Sequence, residues 1–188
     1  MAKVYEFIAN GSEEIEALTV VDVLRRAGVE IKTVSITGTK EAVLSHGVKI
    51  ECDATIEQCT FDDADMLLLP GGLPGATNLN EHEGVRNAML RQYQSGKKVG
   101  AICAAPLVLG SLGILQGKNA TCYPGFEDQM TGAEYTADIF TIDGNIITGC
   151  GPAATLPYSY AILEMLGYTK EAAALKEGMM FNKLMGHQ

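Results

Sequence analysis

The chain has 188 residues, 47% of them apolar and 20% charged, with a formal net charge of −9. Those figures suit one soluble domain with a sizeable core, predicted to span residues 1–188. The acidic balance argues against nucleic acid and against an anionic membrane surface as partners. No apolar run reaches the length of a membrane span. The five cysteines (Cys52, Cys59, Cys103, Cys122, Cys150) lack CxxC spacing. They form neither a disulfide framework nor a zinc site, so no metal is expected and a reducing cytoplasm is the expected setting.

Lys3 to Ala9 reads as a first buried strand, and Glu6 inside that apolar run argues against a signal peptide. Asn10-Gly11-Ser12 reads as a turn and helix cap. Glu13, Glu14 and Glu16 follow in the first helical turn, where acids complement the dipole. The helix runs to about Ala27 and is ended by Gly28. Its apolar residues cover most of the circumference, which predicts one face on a sheet and another on a second subunit. Glu30 to Ile36 is a second strand, and Ala42–Leu44 and Val48–Glu51 form a small hairpin around Ser45-His46-Gly47. Met66 to Pro70 is a continuous apolar strand followed by Gly71-Gly72.

A helix over Glu83 to Gln94 leads to Val99-Gly-Ala-Ile-Cys-Ala-Ala-Pro106. This stretch predicts a strand over 99–102 running straight into a helix near Ala105, with Cys103 at the turn. Ala101 and Ala105 flank Cys103 at a spacing of two, and Pro106 suits a first helical turn. Small residues at those places are what a nucleophile elbow requires. The helix N-terminus below the sulfur would favour thiolate over thiol. Short strands follow around 120–123, 139–142 and 146–148, the last two joined by an Asp143-Gly144 turn. Helices over about 154–166, ended by Gly167, and 170–181 close the chain.

Apolar strands alternating with helices predict an α/β fold, a mostly parallel sheet with helices on both faces. Ligands then bind beyond the carboxyl ends of the strands. Three segments sit at such ends and are expected to converge: Asn10 to Glu16, Pro70 to Gly75, and Cys103. Backbone N–H groups of Gly72 and Ala104 are candidate oxyanion donors for attack by Cys103. Glu16, one turn into the first helix, is the candidate proton carrier. Burial beside a thiolate would raise its pKa. Glu13 and Glu14 read as solvated. Of the three histidines, His46 could reach a pocket, His82 sits in a polar stretch and His187 near the end, so a Cys-His triad has weak support.

The motifs Gly11-Ser-Glu-Glu-Ile-Glu16, Leu24-Arg-Arg-Ala-Gly28, Leu69-Pro-Gly-Gly72, Ala101-Ile-Cys-Ala-Ala-Pro106 and Gly151-Pro152 resemble the ThiJ/PfpI superfamily in its DJ-one branch. The resemblance implies a flavodoxin-like sandwich and a homodimer through the first helix. It implies Cys103 as the elbow cysteine, Glu16 as its protonated partner, and Gly72 and Ala104 as the oxyanion hole. It implies a cofactor-free glyoxalase acting on methylglyoxal-type aldehydes, with a disputed protein deglycase activity. The alternatives are a redox-sensing or chaperone-like stress protein acting through Cys103 oxidation and, behind both, a cysteine hydrolase or amidotransferase. Two positions depart from the pattern. Tyr123 stands where some members place a histidine, and Cys150 where human-like members carry an arginine. Arg26 and His46 are the remaining candidate pocket cations.

Overall fold

In a computed structural model, which describes residues 1–187, the strand runs assemble into one seven-stranded sheet with helices on both faces. From the N-terminus come β1 (Lys3–Ile8), α1 (Glu14–Arg26), β2 (Glu30–Ser35), the hairpin of β3 (Glu41–Val43) and β4 (Lys49–Glu51), and the short β5 (Ala54–Thr55). Next are β6 (Met66–Leu69), α2 (Gly75–Glu81), α3 (Glu83–Gln94), β7 (Lys98–Ile102) and α4 (Pro106–Ser111). β8 (Asn119–Ala120) and β9 (Glu134–Tyr135) pair with each other, and β10 (Phe140–Asp143) and β11 (Ile146–Gly149) form the hairpin read from Asp143-Gly144. α5 (Thr155–Met165), α6 (Thr169–Gly178) and α7 (Phe181–Met185) close the described chain.

The sheet order is β10-β11-β7-β6-β1-β2-β5, and only β10 runs antiparallel to its neighbour. The order reverses at β1, with β2 on one side and β6 on the other, which opens a crevice beyond their carboxyl ends. Strand alternation divides the core. Tyr5, Phe7, Leu67, Leu69, Val99 and Ala101 face α2, α3 and α4. Val4, Met66, Leu68 and Ile102 face α1, α5 and α6. Among the described residues no helix is long and apolar enough to cross a membrane.

The structure corrects several local expectations. α1 is capped by Glu13, whose Oε2 accepts the Glu16 N–H at 2.8 Å, while Ser12 Oγ turns back to accept the Ala9 N–H. Both side chains are buried, so Glu13 is not a solvated dipole complement. α2 and the two-residue strands β5 and β9 were not expected. The strand expected at 120–123 ends at Ala120 and lies outside the main sheet. The last helix breaks after Gly178, where Met180 adopts φ 63° and α7 starts afresh.

Candidate active site

β7 delivers Cys103 at φ 64°, the left-handed conformation that lifts a side chain off a strand end. Three backbone bonds hold the turn. The Cys103 N–H donates to Gly149 O at 2.8 Å, the Tyr123 N–H donates to Cys103 O at 2.9 Å, and the Ala105 N–H donates to Ile102 O at 3.0 Å. Ala101 and Ala105 are wholly buried, and α4 begins at Pro106 as expected. Cys103 itself is 8% exposed.

The other two segments close on it. The β1 and β6 ends are stitched by the Glu13 N–H donating to Gly71 O at 3.0 Å and the Gly75 N–H donating to Gly11 O at 3.2 Å. α1, starting at that junction, places Glu16 fully inside. Its Oε2 accepts the Gly71 N–H at 2.9 Å, and its Oε1 is buried without a hydrogen-bond partner. Gly71 lies between the two side chains: a Cβ there would come within 2.6 Å of both Glu16 Oε2 and Cys103 Cβ. Gly72, at φ +83°, is pressed on Glu13 and Gly11 in the same way. Sequence reading singled out Gly72 for its N–H and missed Gly71. The pairing of the two glycines was the signal, but nothing local says which one touches the glutamate.

Burial pushes the Glu16 carboxyl up to about 7, against the pull of the Cys103 thiol and the Gly71 N–H. Burial and the Glu16 charge push the Cys103 thiol above its ordinary range, while the N–H groups of Gly72 and Ala104 pull it down. The helix end therefore does not by itself make a thiolate, contrary to the expectation from its dipole. α4 is short, and desolvation outweighs its N–H groups. The two groups resist carrying two charges. A proton on Glu16 removes the repulsion and turns its hydroxyl into a donor toward sulfur, so the pair holds one proton and one charge.

Cys52 and Cys122 are pushed up to about 11, chiefly by burial, with the charges of Asp53 and Glu6 adding at Cys52 and that of Glu127 at Cys122. Tyr123 is half exposed, its N–H on Cys103 O and its ring within 3.1 Å of where a Gly151 Cβ would stand. Cys150, half-buried, follows Gly149 beside the elbow and lines an apolar groove with Ile139, Leu156 and Phe181. His46 sits at the rim, committed to Glu14. Its ring contacts Oε2 at 2.8 Å and its N–H donates to Oε1 at 2.6 Å. Arg26 is a correction: it lies at the far end of α1 from Glu16, paired with Asp22 at 2.7 Å. His82 Nδ1 caps α3 by accepting the Val85 N–H, and no histidine is among the groups that shift Cys103. Glu13, Glu14 and His46 bring one ligand atom each within 4.8 Å of one another, but both carboxylates already accept hydrogen bonds there.

A family model described as the DJ-1/PfpI family matches residues 2–165. Protein DJ-1 homolog B of Arabidopsis thaliana is 37% identical over 158 residues, which cover 84% of this chain and 36% of that protein. The chain thus spans about a third of the length of this plant relative. The glutathione-independent glyoxalase DJR-1.2 of Caenorhabditis elegans is 32% identical over 168 residues, covering 88% of this chain and 89% of that protein. The solved structure of oxidized Toxoplasma gondii DJ-1 superposes with a TM-score of 0.92 at 31% identity, covering 96% of this chain and 98% of that one. The fold thus has a counterpart along nearly the whole chain, which belongs to the DJ-1/PfpI family.

Proposed function

We propose that the chain is a cysteine-dependent, cofactor-independent enzyme that converts small α-oxoaldehydes of the methylglyoxal type to 2-hydroxy acids without glutathione. The observation that carries this reading is the seating of the Glu16 carboxyl, raised to about 7, against Cys103 on its elbow. The Caenorhabditis elegans relative, named a glutathione-independent glyoxalase, supports it.

The sulfur adds to the aldehyde carbon, and the carbonyl electron pair moves to oxygen, which takes the proton from Glu16. The Gly72 and Ala104 N–H groups, which face the sulfur, are the donors this reading assigns to the charge developing on that oxygen. Glu16, now a carboxylate, removes the hydrogen of that carbon as a proton, giving an enediolate, and returns it to the neighbouring carbon while the hydroxyl proton of the first oxygen passes to the second. The product is a 2-hydroxyacyl thioester on Cys103. Water adds to it, the carbon–sulfur bond breaks with its electron pair on sulfur, and the hydroxy acid leaves. One carbon is oxidised as its neighbour is reduced, so the sum is aldehyde plus water and no outside oxidant is consumed.

The same reading places a second copy of the chain over α1. Ile15 and Leu18 are 54% and 38% exposed and line an apolar groove with Pro152, Ala153 and Leu156. Sedimentation should show a dimer that Leu18→Lys converts to monomer, and a monomeric wild type would overturn this part.

The test is lactate formation from methylglyoxal without glutathione. Wild type should produce it. Cys103→Ala should lose about 10³-fold or more, and Glu16→Gln roughly 10²- to 10⁴-fold. Absence of wild-type turnover, together with mild-peroxide oxidation confined to Cys103, would transfer the assignment to the redox-responsive reading.

A further inference from the structure

β1 runs through the middle of a parallel sheet covered on both faces, a setting that calls for apolar side chains. Glu6 stands there 2% exposed, with Oε2 lacking any hydrogen-bond partner. It shares its face of the sheet with Val4, against α1 and α5. In register across that face lie Leu68, then Gly100, then Ile147. Gly100 is a mid-strand glycine, which costs backbone entropy and packing. A Cβ there would meet the Tyr158 hydroxyl at 2.7 Å. The missing side chain is the space into which a phenol reaches from α5.

The Tyr158 hydroxyl is buried and without a partner, as is Glu16 Oε1 on the neighbouring α1. Glu6, Tyr158 and Glu16 hold all the unpartnered buried side-chain oxygens and nitrogens among the described residues, and they share one face of the sheet. Their chemistries are complementary: a neutral carboxyl and a phenol each offer an O–H donor, and Glu16 Oε1 is an acceptor. Burial and then the Glu16 charge hold Glu6 well above the usual carboxylate range, which keeps it neutral. Burial, then Glu6 and Glu16, hold the Tyr158 hydroxyl in its protonated form.

We propose that Glu6, Tyr158 and Glu16 form one buried proton-holding cluster beneath the nucleophile, in which Glu6 and the Tyr158 hydroxyl donate, directly or through internal water, toward Oε1 of Glu16. Glu6 and Tyr158 are positioning residues, touching neither substrate nor sulfur. They steady the carboxylate that Glu16 becomes after giving up its proton, and so set the pH at which it does so. This inference rests on the reading of Cys103 and Glu16 as the reactive pair. Other groups also face the cluster. Glu16 meets Cys103, the Gly71 N–H, Glu13 and the charge range of Cys150. Glu6 meets Thr33 of β2 and lies within charge range of Cys52.

The experiment is the rate of Cys103 alkylation by iodoacetamide against pH, with peptide mass mapping to separate Cys103 from the other cysteines and circular dichroism to verify folding. Wild type should show an inflection set by Glu16 that Glu16→Gln removes. Tyr158→Phe and Glu6→Leu should move that inflection upward by about half a pH unit or more, because the carboxylate loses donors. Glu6→Gln keeps a donor and cannot ionise, so its profile should match wild type. Superposition of Tyr158→Phe and Glu6→Leu on wild type would overturn the cluster. So would a downward shift in Glu6→Gln, which would make Glu6 a charge rather than a donor. Should Glu6→Leu fail to fold, Tyr158→Phe, which removes one oxygen, decides alone. A Glu16→Gln profile that keeps the inflection would instead defeat the underlying reading of the pair, and the cluster with it.

Discussion

On the face of the sheet covered by α2, α3 and α4, strands β1, β6 and β7 present Tyr5, Phe7, Leu67, Leu69, Val99 and Ala101 to an apolar core. The one polar atom in that set, the Tyr5 hydroxyl, finds Asp63 at 3.0 Å. On the other face the same three strands present Glu6, the gap at Gly100 and Cys103, while the helices add Glu16 and Tyr158. Every unpartnered buried side-chain polar atom among the described residues lies on this second side. Because strand side chains alternate, one face can be optimised for packing while the other holds unpartnered polar groups at an energetic cost.

Substitutions can break this contrast from either side. The largest effect, beyond the losses expected of Cys103→Ala and Glu16→Gln, belongs to the packing face. Met89→Ala should cost about 2–5 kcal/mol of stability, read as a lower urea midpoint, with turnover unchanged while the protein stays folded. Gly71→Ala should do the reverse. Its Cβ would meet Glu16 Oε2 and Cys103 Cβ at 2.6 Å, and Ile102 O at 2.9 Å, and the last two cannot swing away. Turnover should fall roughly 10²-fold, a transition-state loss of about 2.7 kcal/mol.

The next effect is one of pH. Glu16 is raised to about 7 and the Cys103 thiol stands higher, so the pair passes from two protons to its one-proton, one-charge form as pH rises through that value, and kcat/KM should rise about tenfold per unit below it and level off above it. Glu16→Gln should lack that limb. The smallest effect is in Glu6. Burial and the Glu16 charge raise it, so the folded chain keeps a proton that the unfolded chain releases once pH passes the ordinary carboxylate value. Stability is therefore lost as pH rises through that window. Glu6→Gln should raise Tm at alkaline pH by about 3 °C, roughly 1 kcal/mol, and leave Tm at acid pH nearly unchanged.

What was legible in the sequence follows the same division. Apolar runs and helix-ending glycines located the main strands and the ends of α1 and α5, because burial on both faces leaves a simple pattern. The elbow was legible because a strand-to-helix turn restricts size at Ala101 and Ala105. α2 was not: it opens on glycine after proline and buries only Gly75, Ala76 and Leu79. The break at Met180 carries no glycine or proline, so periodicity runs through it. The Glu13 cap was obscured by Ser12, the stronger capping residue, whose hydroxyl is used by Ala9 instead. Glu6 was visible only as a charge in an apolar strand. Its relation to Glu16 and Tyr158 depends on strand register and helix docking, which one sequence does not display.

The most direct test of the central claim, that Cys103 and Glu16 act together through a covalent intermediate, is an acid quench during methylglyoxal turnover with mass mapping of Cys103. The account predicts a 2-hydroxyacyl thioester on Cys103 of the wild type, and none on the other cysteines or in Glu16→Gln. Lactate released at the wild-type rate while Cys103 stays unmodified, or by Cys103→Ala, would contradict it.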